Sequence, residues 1–180
     1  VLIAMSFQNQ FTKTTTDANL METVHHGSAE YPFRYYYENI ALFDFKCIDW
    51  HWHSELEFIY IESGNVVFDI GTVHFELNEG NGIMINSKIL HRLQSSSDAI
   101  IPNFLFQPSF IAPQDSLIYK KYINPVISSS LEYLVFQPDI PWQKKALEII
   151  KTIITVQETE FNREIIVSMS VQQLWILLLE

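Results

Sequence analysis

Two histidines, a glutamate and a glycine recur at fixed intervals in the run HWHSELEFIYIESG, residues 51 to 64. His51, His53 and Glu57 all fall at odd positions, so in a β-strand, whose side chains alternate between faces, the three leave the same side. Ile59 and Ile61 continue that parity, which predicts a buried side with the polar cluster in or beside an apolar interior. Two imidazoles and a carboxylate so placed suit a divalent metal such as Zn, Ni, Mn or Fe. They suit equally the hydrogen-bonding wall of a ligand pocket, in which glutamate fixes a histidine tautomer. His91, in a later strand, is a fourth candidate that could face the trio across a barrel. Glu55 shares the parity but breaks the ligand spacing, and reads as an exposed carboxylate beside a bend.

Other catalytic chemistry finds little support, and no catalytic residue is assigned. Cys47, the single cysteine, reads as a small core residue, and no serine has the glycine-flanked strand-to-helix setting of a nucleophile. Gly80 and Gly82 sit in a turn between strands and not before a helix, which excludes a phosphate-cradling loop. His74 reads as an outward histidine of a hairpin.

The elements that must hold these residues are short strands. Phe43, Phe45 and Cys47 alternate with Asp44 and Lys46, which predicts a half-buried strand running into the histidine stretch. NVVFDI, the pair Gly71-Thr72 and VHFEL predict a hairpin with glycine first in a two-residue loop. IMIN, LHRLQ, AIIPNFLFQ and LEYLVFQ add further strands, and Pro102 suggests that its strand lies at an edge or carries a bulge. Strands this short and closely spaced indicate a mainly β chain, a sandwich or small jelly-roll barrel. Two helices follow. The first starts near Pro141 with Asp139 as its cap, and places Trp142, Ala146, Ile149, Ile150 and Ile153 on one face at helical spacing. The second starts near Asn162. The parts are an arm over 1–30, a barrel over 31–137 and a helical segment over 138–180.

A chain of 180 residues, 48% apolar and 14% aromatic, has material for one sizeable core. Eleven basic against 21 acidic residues give a formal charge of −10 with no basic run, so these residues carry no nucleic-acid footprint. The single cysteine and the absence of an apolar run long enough to span a bilayer predict a cytoplasmic protein without membrane association. The chain stops at Leu-Leu-Leu-Glu inside an apolar helical pattern, which predicts that a further domain follows.

HWHSELEFIYIESG resembles the first motif of the cupins, with His51, His53, Glu57 and Gly64 in their places, and LNEGNGIMINSKILH resembles the second, with Gly80, Ile85-Asn86 and His91. Asn81 and Ser87 depart from the second motif. The wording is most similar to the N-terminal sensor domain of AraC-family transcriptional regulators. That resemblance implies a cupin-type double-stranded β-helix followed by two helices, and a small-molecule effector, a sugar or related metabolite, bound at His51, His53, Glu57 and His91. It implies a homodimer through Trp142, Ala146, Ile149, Ile150 and Ile153, and DNA binding only through a C-terminal domain that these residues do not include. Such a chain is not an enzyme; the alternative is a metal-dependent cupin isomerase or dioxygenase using the same four residues.

Overall fold

A computed structural model of the chain describes residues 12–159 and 161–180. The strands are β1 (Phe33–Asn39), β2 (Cys47–His51), β3 (Leu56–Tyr60), β4 (Asn65–Ile70), β5 (Val73–Asn78), β6 (Gly82–Ile85), β7 (His91–Gln94), β8 (Ile100–Phe106) and β9 (Tyr133–Phe136). The helices are α1 (Asn124–Ile127), α2 (Pro141–Val156) and α3 (Arg163–Leu178). Pairing between these strands is antiparallel, in a larger sheet of order β1-β8-β3-β6-β9 and a smaller one of order β2-β7-β4-β5. The chain is therefore mainly β, two sheets followed by helices, as expected from its short alternating runs.

β3 shows why the histidine stretch is so apolar beyond Glu57. Its odd residue Ile59 joins Ile61, Ile83, Ile85 and Ile101 against Phe68 and Leu93 of the smaller sheet, inside the barrel. Its even residues Leu56 and Phe58 face the other way, where Phe33, Phe104, Phe106 and Phe136 pack under α2 and α3. Phe58 stacks on Phe104 at 5.3 Å between ring centres, and Phe104 on Phe33 at 5.7 Å, an aromatic row that crosses β3, β8 and β1. A strand buried on both faces reads as a continuous apolar run, and the lone charge in it, Glu57, stands out for that reason.

The hairpin forms with Ile70 opposite Val73 across Gly71-Thr72, and Gly71 takes the positive φ of 54° that such a turn requires. Several expectations are corrected. The predicted strand around Phe43 and Phe45 is two tight turns, Ile40–Leu42 and Asp44–Lys46, and regular pairing begins only at Cys47. Phe43 is buried but Phe45, at φ 60°, points wholly into solvent, so the alternation there mimics a strand that has no partner. β8 lies between β1 and β3, not at an edge; Pro102 falls just past Asn103, the last residue paired with β3. α2 begins at Pro141 with Ile140 as its cap, and Asp139 makes no cap bond.

The arm is tied down over its described part, while residues 1–11 of the expected 1–30 segment, like residue 160, lie outside the described residues. Asp17 closes a turn by accepting from the backbone N–H groups of Asn19 and Met21. The Trp52 N–H donates to the Leu20 carbonyl (3.0 Å) and the Glu22 N–H to the Trp52 carbonyl (2.9 Å). The arm thus pairs with the one residue that separates His51 from His53.

The α2 face expected to dimerise is turned inward. Ala146, Ile150 and Ile153 are fully buried within their own chain, against the larger sheet and α3, while Trp142 and Ile149 stay partly exposed. A helix laid over a sheet buries its apolar stripe there first, because that contact is intramolecular. No helix among the described residues is long and apolar enough to cross a membrane.

Candidate functional site

His51, His53, Glu57 and His91 meet inside the barrel mouth, with one donor atom from each lying within 4.8 Å of the others. They do not share a strand. β2 ends at His51, β3 starts at Leu56, and His53 sits in the crossing between the two sheets. His51 is held by β2 directly opposite His91 of β7, their ring centres 4.2 Å apart, while Glu57 reaches in from the larger sheet. The pairing of β2 shifts between Ile48 and His51, and this bulge lets both residues line the interior despite their opposite parity. The parity of the sequence therefore gave the right convergence through a different backbone.

The hydrogen bonds set the tautomers. His51 Nδ1–H donates to the Asp49 carbonyl (2.7 Å), His91 Nδ1–H to Ile89 (2.8 Å) and His53 Nδ1–H to Glu55 (3.2 Å). A carbonyl only accepts, so each proton stays on Nδ1 and each Nε2 carries its lone pair inward when the ring is neutral. His91 Nε2 and His53 Nε2 approach the same Glu57 oxygen at 3.1 and 3.3 Å. Lone pairs facing a carboxylate oxygen repel unless a proton or a cation lies between them.

The protein's own charges answer part of that demand. Burial opposes the Glu57 charge, yet hydrogen bonds from His53 and His91 overcome it and hold the carboxyl well below its usual range. Burial likewise opposes a charged His53, and Glu57 reverses the balance, raising it. His51, with burial and the neighbouring His91 against it, is pushed down to about 3 and stays a neutral imidazole. Three imidazoles with Nδ1 anchored to carbonyls, plus one carboxylate, are a donor set that fits a divalent cation, and the carbonyls are the outer partners that orient such ligands. The group could hold a metal ion.

Residues that the sequence did not single out complete the wall. Glu22 and His26 come from the arm: His26 bonds to Glu22 Oε2 (2.9 Å) and to the Tyr36 hydroxyl (2.9 Å), and its ring lies 5.7 Å from that of His53. Glu38 of β1 and Asn103 of β8 line the same cavity, of about 40 Å³. Both interrupt apolar or aromatic strands on the inward face, a signal the sequence did carry; nothing local marks Glu22 or His26. Glu55 is buried, contrary to expectation, because the Gln107 amide donates to its Oε1 at 2.7 Å. An open cleft of about 360 Å³ beside the arm reaches His53, Glu55 and Gln107 from outside. His74 is an exposed partner of Asp69 on the barrel exterior, as read from the hairpin. Trp50 lies against the Arg92 guanidinium and lines no part of the cavity.

Comparison with known proteins agrees with this geometry. The family described as the AraC-like ligand binding domain matches residues 43–114. An uncharacterized HTH-type transcriptional regulator, YdeC of Bacillus subtilis (strain 168), is 31% identical over 163 residues, 88% of this chain and 55% of that protein. The chain thus spans about half the length of the curated relative it matches. Among solved structures, an RmlC-like cupin from Shewanella frigidimarina aligns at 14% identity and a TM-score of 0.38, covering 42% of this chain and 67% of its own. An oxalate decarboxylase of Bacillus subtilis, studied for its Mn(II) centres, aligns at 21% identity and a TM-score of 0.32, covering 34% of this chain and 18% of its own. Alignments this partial carry no argument about chemistry. By the match over residues 43–114 and the identity with the regulator, the chain is similar to the AraC-like ligand binding domain and to an HTH-type transcriptional regulator.

Proposed function

We propose that the barrel is the effector-sensing part of a cytoplasmic AraC-type transcriptional regulator, which contacts DNA through a separate C-terminal domain. The observation that supports this best is one coincidence: the AraC-like match over residues 43–114 contains all four members of the buried donor set, and two of them, His51 and Glu57, line a cavity that the arm and β1 help to close. A guest that moves His51 or His53 moves the Trp52 peptide between them, and with it the arm residues 20 and 22 that hydrogen-bond to it. Occupancy thereby biases the arm between two arrangements. The closed cavity has room for an ion with a water or two. A sugar or similar metabolite enters only if the Glu22–His26 segment lifts away.

His51, His53, Glu57 and His91 are the residues that would hold a divalent metal, Zn, Ni, Mn or Fe, and a bound metal would polarise a ligand oxygen beside them. The homodimer is better served by α3 than by the inward face of α2. Ile165, Met169 and Ile176 form one exposed stripe there, each more than half exposed. The test is hydrogen exchange on the chain with and without Zn²⁺ or Mn²⁺, alongside elemental analysis. We expect about one ion per chain, lost in His53→Ala, and a change in protection confined to residues 12–30 and their partners. Exchange rates that ignore occupancy would overturn the sensing mechanism.

A metal-dependent isomerase or dioxygenase is the second reading, favoured by the cleft that opens onto His53. Turnover that is lost together with the metal in His53→Ala would establish it.

A further inference from the structure

The inner wall of the barrel carries a second polar group that the histidine set does not use. Glu38 leaves β1 and Asn103 leaves β8 on the face turned into the cavity. Asn103 is 2% exposed, and its Nδ2 donates both to Glu38 Oε2 (2.8 Å) and to the Ile101 carbonyl (3.0 Å). Both amide protons are spent within the protein, so Asn103 can offer a guest only its Oδ1, an acceptor. Glu38 receives that single side-chain hydrogen bond, and among the described residues its other oxygen receives none. His51 spends its Nδ1 proton on Asp49 and offers its Nε2 lone pair to the same space. Glu22 and Glu57 add carboxylates, against Lys13 as the one lysine or arginine on this wall among the described residues.

A wall of acceptors selects its guest by charge and by hydrogen-bond direction. An anion meets three carboxylates, and a neutral acceptor finds few protons to receive. A group that only donates and carries positive charge satisfies the open acceptors and offsets the cost of enclosing the carboxylates. We propose that Glu38 and Asn103 form an ammonium-binding subsite, and that the effector of this barrel is a small cationic amine. This rests on the reading of the barrel as a sensing cavity. The ammonium head fits the space beside Glu38, and Ile48, Leu93 and Leu105 supply an apolar strip for a short alkyl chain once the Glu22–His26 segment lifts away, since the closed cavity of about 40 Å³ holds the head alone.

Burial, helped by Glu57 and Glu22 and opposed by the Asn103 hydrogen bond, pushes the Glu38 carboxyl up to about 8. The raised carboxyl holds a proton more readily than an ordinary glutamate does, and a bound ammonium takes that proton's place.

The experiment is calorimetric titration of the chain at pH 8.5 with n-butylamine, 1-butanol and sodium butanoate, matched in length. Butylammonium should bind at least tenfold more tightly than butanol, and butanoate should give no binding. Glu38→Gln should weaken butylammonium tenfold or more while Zn²⁺ binding at the histidine set stays within about threefold, which separates a lost subsite from a lost barrel. Independently of any variant, butylammonium binding at pH 6 should release protons, up to one per site, read from titrations in buffers of different ionisation heat. Equal binding of butanoate, or no proton release, overturns the subsite but leaves the barrel a binding cavity. Binding of none of the three overturns the sensing-cavity reading with it.

Discussion

Glu38→Gln should make the chain more stable, and only above a defined pH. The substitution keeps the shape of the side chain, and the new carboxamide oxygen still accepts from Asn103 Nδ2. It removes a carboxyl whose proton is held up to about 8, against an ordinary 4.5, chiefly because burial disfavours the charge. Because the folded carboxyl binds its proton more tightly than the unfolded one, its contribution to stability is fully present below about 4.5 and is lost as pH rises through about 8. At about 1.4 kcal/mol per pH unit the ceiling on that loss is of order 5 kcal/mol. Glu38 keeps some surface on the cavity, where water can reach it, so roughly 2–3 kcal/mol is the expected size. For a chain of this length that is on the order of 5–10 °C in Tm. Thermal unfolding of both proteins from pH 4.5 to 9 reads the effect as a difference curve, in which the other titrating groups cancel. The two curves should meet near pH 4.5 and separate progressively to pH 9, with the variant above. A constant offset at all pH values would refute the reasoning, since it would place the carboxyl in contact with bulk water.

Other perturbations separate the remaining claims. Ile150→Glu should unfold the chain, because it drives a charge into a fully buried position, whereas Ile165→Glu should leave far-UV circular dichroism intact and shift sedimentation towards monomer. An Ile165→Glu protein that sediments unchanged would remove α3 from the interface. Tyr35→Phe deletes a buried hydroxyl that has no hydrogen-bond partner among the described residues, so denaturant unfolding should show a gain of about 1 kcal/mol where a satisfied tyrosine would show a loss. Gly64→Ala should cost more than about 1 kcal/mol, since Gly64 has φ 80° and an added Cβ would lie 2.5 Å from the Asp98 carbonyl oxygen. Saturating Zn²⁺ at about 100 times its dissociation constant should raise stability by about 2.7 kcal/mol, and chelation should reverse it; an unchanged Tm would count against a metal at the histidines.

The sequence by itself carried the donor set and most of the strands. His51, His53, Glu57 and His91 were legible because their types and spacing are unusual, and the Gly71-Thr72 hairpin because turn chemistry is local. Its reading failed around Phe45, where alternation without a pairing partner produced turns, and on α2, where periodicity marks an apolar face but not what covers it. Only the tertiary structure decided that His51 stands opposite His91, that β2 and β3 belong to different sheets, and that Glu22, His26, Glu38 and Asn103 join one wall. Those facts depend on pairing register and on contacts between residues far apart in the chain, such as Glu38 and Asn103. A local pattern of two or 3.6 residues sets which way a side chain points, and the closure of the barrel sets what it meets there.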